Sequence, residues 1–306
     1  MDYVLTTNAV SKRYRKINAL DSVTMHIPAG AIYGFVGRNG AGKTTLFRII
    51  CGLQEPSAGS FTLFGTPHTE SKIAAVRRRV GAIIETPAFY GDMNAVENMK
   101  MQYAMLGLPS NDGIDDLLKL VRLHDTGTKK ARDFSLGMKQ RLGIALALCG
   151  NPDFLILDEP INGLDPQGIV EIRELILRLN RERNITVLIS SHILEELAKL
   201  ATHYGFIDKG RIVQEISAEE LDAKCRKYLH VTVTDTETLP HVMDSRGIEY
   251  EIISETEANL YGSFRISELS AALAEENCEL ISATEHEESL ENYFINLVGG
   301  DGGDQA

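Results

Sequence analysis

The stretch GRNGAGKTT, Gly37 to Thr45, constrains the fold more than any other part of the chain. It follows the apolar run AIYGFVG, Ala31 to Gly37, and leads into a helix-compatible segment from Thr44 to about Leu53. A buried strand must therefore end in a glycine turn that opens a helix. The glycines let successive backbone N–H groups point into one concavity, and the helix N-terminus adds the positive end of its dipole. Such a loop, here Gly37, Arg38, Asn39, Gly40, Ala41, Gly42, Lys43, Thr44 and Thr45, is built to hold phosphates. Lys43 reaches the terminal phosphates and the Thr44 hydroxyl is placed to ligate Mg²⁺.

Two more apolar runs repeat the strand signal, DFLILDEP (Asp153 to Pro160) and ITVLIS (Ile185 to Ser190). Between them Asp165-Pro166 reads as a helix cap with a first-turn proline, followed by a stripe of Ile169, Ile172, Leu175, Ile176 and Leu179. Alternating strands and helices predict an α/β domain with a parallel sheet covered on both faces. Residues 1 to 36 read as short strands and turns, and FIDKGRIV (Phe206 to Val213) as a hairpin. Between about Pro87 and Gly150 the pattern is helical only, which predicts a helical subdomain inserted in the core.

Charge divides the chain further along. From Glu215 to the end there are 21 acidic and 5 basic residues, and before it 22 acidic and 26 basic. That shift predicts a domain boundary between 215 and 228 and disfavours a nucleic-acid surface on the acidic side, where phosphates are repelled. The acidic part reads as strand 229–234, helix 239–246, strands 248–254 and 259–266, helix 268–277, strand 278–284 and a last helix carrying Leu290, Tyr293, Phe294 and Leu297. That β-α-β-β-α-β order predicts a small α+β, split-βαβ domain over 228–298, with a disordered tail at 299–306. Cys51, Cys149, Cys225 and Cys278 are scattered and read as buried thiols of a reducing compartment. No signal-peptide pattern and no apolar run of membrane-spanning length is found, so the expected location is cytoplasmic.

Asp158 and Glu159 close the second apolar strand. Beside a phosphate loop, one carboxylate can hold Mg²⁺ and its neighbour can orient or deprotonate an attacking water. A second group of phosphate-handling side chains, FSLGMKQR (Phe134 to Arg141), opens an apolar helix that carries Leu142, Ala145 and Leu146. Its Ser and Gly suit a helix cap and an anion site equally well.

In this order the motifs resemble those of the ATP-binding subunits of ABC transporters, over roughly residues 1 to 217, and the resemblance implies a P-loop ATPase core with a mixed sheet and a helical subdomain. Walker A is Gly37 to Thr45, FSLGMKQR stands where the family has its LSGGQ signature, and FLILDEP resembles Walker B. INGLD, ending in Asp165, resembles the D-loop, and SSH ends in His192 at the place of the switch histidine. Tyr14 stands where the family places an aromatic on adenine. The resemblance implies a homodimer in which each ATP lies between the Walker A of one chain and the signature of the other. Ser135, Leu136, Gly137 and Met138 then touch the partner's nucleotide, while Glu159 and His192 act on the chain's own γ-phosphate. It also implies a separately encoded membrane permease, docked near Glu85 and the helical subdomain.

Two positions depart from the family pattern. Leu136 replaces the first signature glycine, leaving Ser135 and Gly137 to make the contact. Glu85, in GAIIETPAFY, replaces the usual glutamine of the Q-loop. A carboxylate there is expected either to ligate Mg²⁺, with Thr44 and Asp158, or to point to solvent. Glu85, the following TPAFYGDMNAVENM and the ending SLENYFINLVG resemble subunits of the bacitracin-resistance and lantibiotic-immunity exporters. The leading expectation is thus a transport ATPase for a peptide antibiotic. The alternative is a soluble ABC ATPase of translation or DNA repair, which the single cassette and acidic C-terminal part disfavour. For that acidic domain three roles stay open: a solvated surface, a dimer or permease contact, or a sensor.

Overall fold

A computed structural model of the chain describes residues 2–225, 227–262, 265–286 and 290–299. It divides into two compact units, 1–218 and 219–306. Among the described residues no helix is long and apolar enough to cross a membrane.

The first unit begins with β1 (Tyr3–Tyr14) and β2 (Ile17–Pro28), paired antiparallel around a two-residue turn at Arg15 and Lys16. Then come β3 (Ile32–Val36), α1 (Lys43–Ile50), β4 (Ala58–Leu63), β5 (Thr66–Pro67), α2 (Ile73–Val76) and β6 (Val80–Ile83). The helical stretch holds α3 (Ala95–Leu106), α4 (Ile114–Leu120) and α5 (Leu136–Ala147). The chain returns to the core with β7 (Phe154–Asp158), α6 (Pro166–Arg183), β8 (Thr186–Ser190), α7 (Leu194–Ala198), β9 (His203–Asp208) and β10 (Arg211–Ser217).

Two sheets result. One has the order β10-β9-β3-β8-β7-β6, parallel throughout except for the β9–β10 hairpin. The other is antiparallel, β2-β1-β4-β5. Every residue of β3, β7 and β8 is buried, as expected of strands covered on both faces. Helix α6 starts where the sequence places it: the Asp165 carboxylate accepts from the Gly168 N–H at 3.0 Å, with Pro166 in the first turn. Helix α3 is fixed by a reciprocal cap, in which Asn94 and Glu97 side chains each accept from the other's backbone N–H.

Several expectations are corrected. Residues 3–28 do not form short strands: β1 and β2 run 12 residues each and belong to a separate antiparallel sheet. Their length is hidden by a bulge, where Ala9 takes φ +49° and the register slips between Thr7 and Val10. The large sheet is mixed, as the family resemblance implies, its one antiparallel pair being the β9–β10 hairpin. Helix α1 ends at Ile50 instead of Leu53, because Gly52 turns the chain at φ +78°.

The second unit opens with α8 (Ala218–Lys224), whose first residue belongs to the first unit, and continues with β11 (Tyr228–Val233), α9 (Leu239–Ser245) and β12 (Glu249–Ile252). It ends with β13 (Glu257–Tyr261), α10 (Ile266–Glu275), β14 (Leu280–His286) and α11 (Leu290–Gly299). Its sheet is antiparallel with order β12-β13-β11-β14, the split-βαβ arrangement. Leu229, Val231 and Val233 alternate into a core that Leu239, Met243, Leu269 and Leu273 close from the helices. The expected tail at 299–306 lies outside the described residues except for Gly299, which ends α11.

Candidate active site

The carboxyl ends of β3, β7 and β8 meet at one edge of the large sheet, the place where open α/β sheets bind ligands. One cleft there is lined by Arg38 to Thr45, Asp158, Glu159 and Glu85, together with Ala19 and Asn162. Gly40 and Gly42 take φ +82° and +111°, conformations open to glycine and rare for other residues. A Cβ on Gly42 would sit 2.5 Å from the Ala19 carbonyl oxygen, so the loop is closely packed from behind and open in front. The Lys43 ammonium is 2.6 Å from the Gly37 carbonyl oxygen and donates to it. Burial pushes its pKa down, while Glu159 and Asp158 pull it back up.

Asp158 is 3% exposed and fully engaged: Thr44 Oγ1 and Ser190 Oγ donate to its two carboxylate oxygens, each at 2.7 Å. The Ser190 hydroxyl also accepts from the Glu159 N–H at 2.9 Å. One serine thereby holds the Asp158 carboxylate and the Glu159 backbone. Glu159 holds φ +50°, a strained conformation for a side chain of this size, of a kind found at functional sites. Its Oε2 lies 2.6 Å from His192 Nδ1 and accepts from the His192 backbone N–H at 3.3 Å. Its Oε1 is 3.8 Å from Lys43 Nζ.

This donor set fits magnesium held together with a nucleotide. Hydroxyl and carboxylate oxygens are the hard ligands Mg²⁺ prefers. Mg²⁺ at such a site is bound by one or two protein groups together with phosphates.

The remaining expected residues fall in three places. Glu85 lines the cleft, but its Oε1 accepts from Arg48 Nη2 at 2.7 Å, so it neither stands alone nor simply faces solvent. Tyr14 is outside the cleft lining. The residue is 41% exposed at the end of β1, and its hydroxyl donates to Gln54 Oε1. Ser135 to Met138 also lie outside the cleft lining. Ser135 caps α5, accepting from the Met138 N–H at 3.3 Å, and Leu136 is half-exposed. Leu136 Cδ2 lies 3.2 Å from where a Cβ on Gly163 would be, so this side chain leans on the loop before Asp165.

Ser190, Arg48, Ala19 and Asn162 were not singled out from the sequence. Ser190 carried a usable signal, being the first residue of SSH at a strand end. Arg48 carried one too, one helical turn after Thr44.

The ABC transporter family model matches residues 20–162. The chain is 39% identical to the bacitracin transport ATP-binding protein BcrA of Bacillus licheniformis, over 98% of this chain and 99% of that protein. It is 43% identical to the lantibiotic transport ATP-binding protein SrtF of Streptococcus pyogenes, over 69% of this chain and 90% of the other. Among solved structures, cbiO1 from Clostridium perfringens, part of the ABC transporter complex cbiONQ, superposes with a TM-score of 0.65 at 27% identity, covering 73% of this chain and 92% of that one. Phosphate loop, paired strand-end carboxylates and full-length likeness together place the chain in the ATP-binding subunits of ABC transporters, the family of ATPases that drive transport.

Proposed function

We propose that this chain powers export of a peptide antibiotic, as the motor of a transporter whose membrane permease is a separate polypeptide. Full-length likeness to a bacitracin transport subunit supports the cargo class, and likeness to a lantibiotic transport subunit supports it again. Work of this kind places the chain at the cytoplasmic face of the membrane. The permease docks beside Glu85 and the helical stretch at 87–150, and the acidic 228–298 region supports the dimer or the permease.

The observation that carries the reading is the position of Glu159, between Lys43 and His192 at the mouth of the phosphate loop. Lys43 and the loop amides hold the phosphates. Thr44 and Asp158 would hold magnesium, which would supply charge neutralisation for the phosphates. Glu159 orients the attacking water and takes its proton, and His192 fixes the carboxylate for that task. Tyr14 offers its exposed ring to the base. Ser135 and Gly137 complete the site of a second copy, head to tail. In that arrangement a helix N-terminus with a free-facing serine meets a γ-phosphate from across the interface.

The test is drug tolerance. A sensitive cell given this chain and its permease should gain resistance to bacitracin-type or lantibiotic peptides, and the Glu159→Gln chain should give none. Equal tolerance with and without a working Glu159 would contradict the proposal. Sizing adds a second check: Glu159→Gln with ATP and Mg²⁺ should run as a dimer, and a monomer at saturating nucleotide would count against the shared site.

A further inference from the structure

Glu85 poses a charge problem that the nucleotide site as described leaves unsolved. Three carboxylates, Asp158, Glu159 and Glu85, line a cleft proposed to receive a polyphosphate, with Lys43 and Arg38 as the cations among its lining residues. Asp158 is committed to Thr44 and Ser190, and Glu159 to His192. A third carboxylate adds repulsion toward phosphate, reduced but not removed by solvent.

Arg48 answers it. Thr44 and Arg48 are four apart on α1, so they lie on one face of the helix, a turn from each other. From there the guanidinium grips Glu85 at 2.7 Å. The backbone at Glu85 is shaped to meet it: φ is +64°, and the Thr86 N–H donates to the Ile84 carbonyl at 2.9 Å, closing a γ-turn around Glu85. Such a turn is rare for a residue with a side chain. A pair this exposed, 35% at Arg48 and 58% at Glu85, contributes little to fold stability. Its value therefore lies in the cleft.

We infer that Arg48 is a positioning residue of the nucleotide site, cancelling the charge of Glu85 so that a third carboxylate can line a phosphate cleft. The inference rests on the nucleotide reading above and deepens it. Loss of Arg48 leaves an uncompensated anion facing the phosphates. Nucleotide alone is then repelled, whereas a divalent cation restores the balance.

The experiment measures binding of a fluorescent ATP analogue at fixed ionic strength, in EDTA and in saturating Mg²⁺. Arg48→Met keeps the aliphatic stem. It should weaken binding about ten-fold in EDTA and by roughly two-fold or less in Mg²⁺. Arg48→Lys should retain much of the affinity. In a Glu85→Gln background, Arg48→Met should change nothing. Unchanged metal-free affinity in Arg48→Met, or a deficit that persists with Glu85→Gln, overturns the inference while leaving the ATPase reading intact. A parent chain that binds no nucleotide overturns both.

Discussion

The two ends of the nucleotide machinery are built differently. At the phosphate-loop end, each carboxylate lining the cleft is held by other groups of the same chain: Asp158 by Thr44 and Ser190, Glu159 by His192, Glu85 by Arg48. At the signature end, Ser135 does no more within its own chain than cap α5, and neither it nor Gly137 lines the cleft. The first end is complete as folded. The second is the N-terminus of α5, capped by Ser135 with Gly137 in its first turn, a geometry suited to half of a shared anion site.

The largest expected effect lies at the complete end. Glu159→Gln should lower the ATPase turnover by about 10²–10⁴-fold, the usual contribution of a general base, with ATP binding kept. Steady-state phosphate release and nucleotide binding measure the two separately. Normal turnover would remove Glu159 from the chemistry and dissolve the contrast.

At the other end, Ser135→Asp sharpens the comparison. Aspartate caps a helix as well as serine does, so melting temperature should hold. The added charge would meet the partner's γ-phosphate, so ATPase activity should fall about a hundred-fold and ATP-driven dimerisation should fail. Full activity in this variant would mean that Ser135 is a cap and nothing more.

Ser190→Ala probes the shared support of the Asp158 carboxylate and the Glu159 backbone. It strips one hydrogen bond from buried Asp158 and one from the Glu159 N–H, and should cost about 1–3 kcal/mol of stability in urea unfolding. A loss far below this would imply that water replaces the hydroxyl.

A smaller effect should appear away from the site, at high pH. Tyr33 is buried and donates to Glu215 at 2.7 Å; burial first, then the Glu215 charge, raises its pKa well above the ordinary phenol value. Folding therefore favours the protonated phenol. That contribution is full below about pH 10, where the unfolded tyrosine also stays protonated, and is lost as pH rises beyond it. Tyr33→Phe should flatten the fall in urea midpoint between pH 8 and pH 11.

What could be read from the sequence follows the same division. Gly37 to Thr45, Asp158, Glu159 and the Asp165 cap are legible because each works through its own backbone surroundings: a glycine turn, a strand end, a helix start. The pairing of Arg48 with Glu85 spans 37 residues and that of Ser190 with Asp158 spans 32, and neither leaves a local pattern. Glu85 was therefore expected on the metal or in solvent, and its arginine partner went unseen. In the fold, buried β7 and β8 announce themselves as apolar runs. The 12-residue β1 does not, since its bulge at Ala9 breaks the alternation by which a half-buried strand is recognised. The four-residue β6 is too short to stand out beside the helices that follow it. The second unit was more readable, because β11 alternates cleanly between core and surface.

Cross-linking between two differently tagged chains tests most directly whether the reaction centre is divided between subunits. With the four native cysteines replaced, one chain carries Asn39→Cys in the phosphate loop and the other Met138→Cys behind the signature. On mild oxidation, ATP should drive a covalent dimer containing both tags. Absence of that dimer, with a chain carrying both cysteines closing on itself as a monomer, would put the whole site in one subunit and contradict the account.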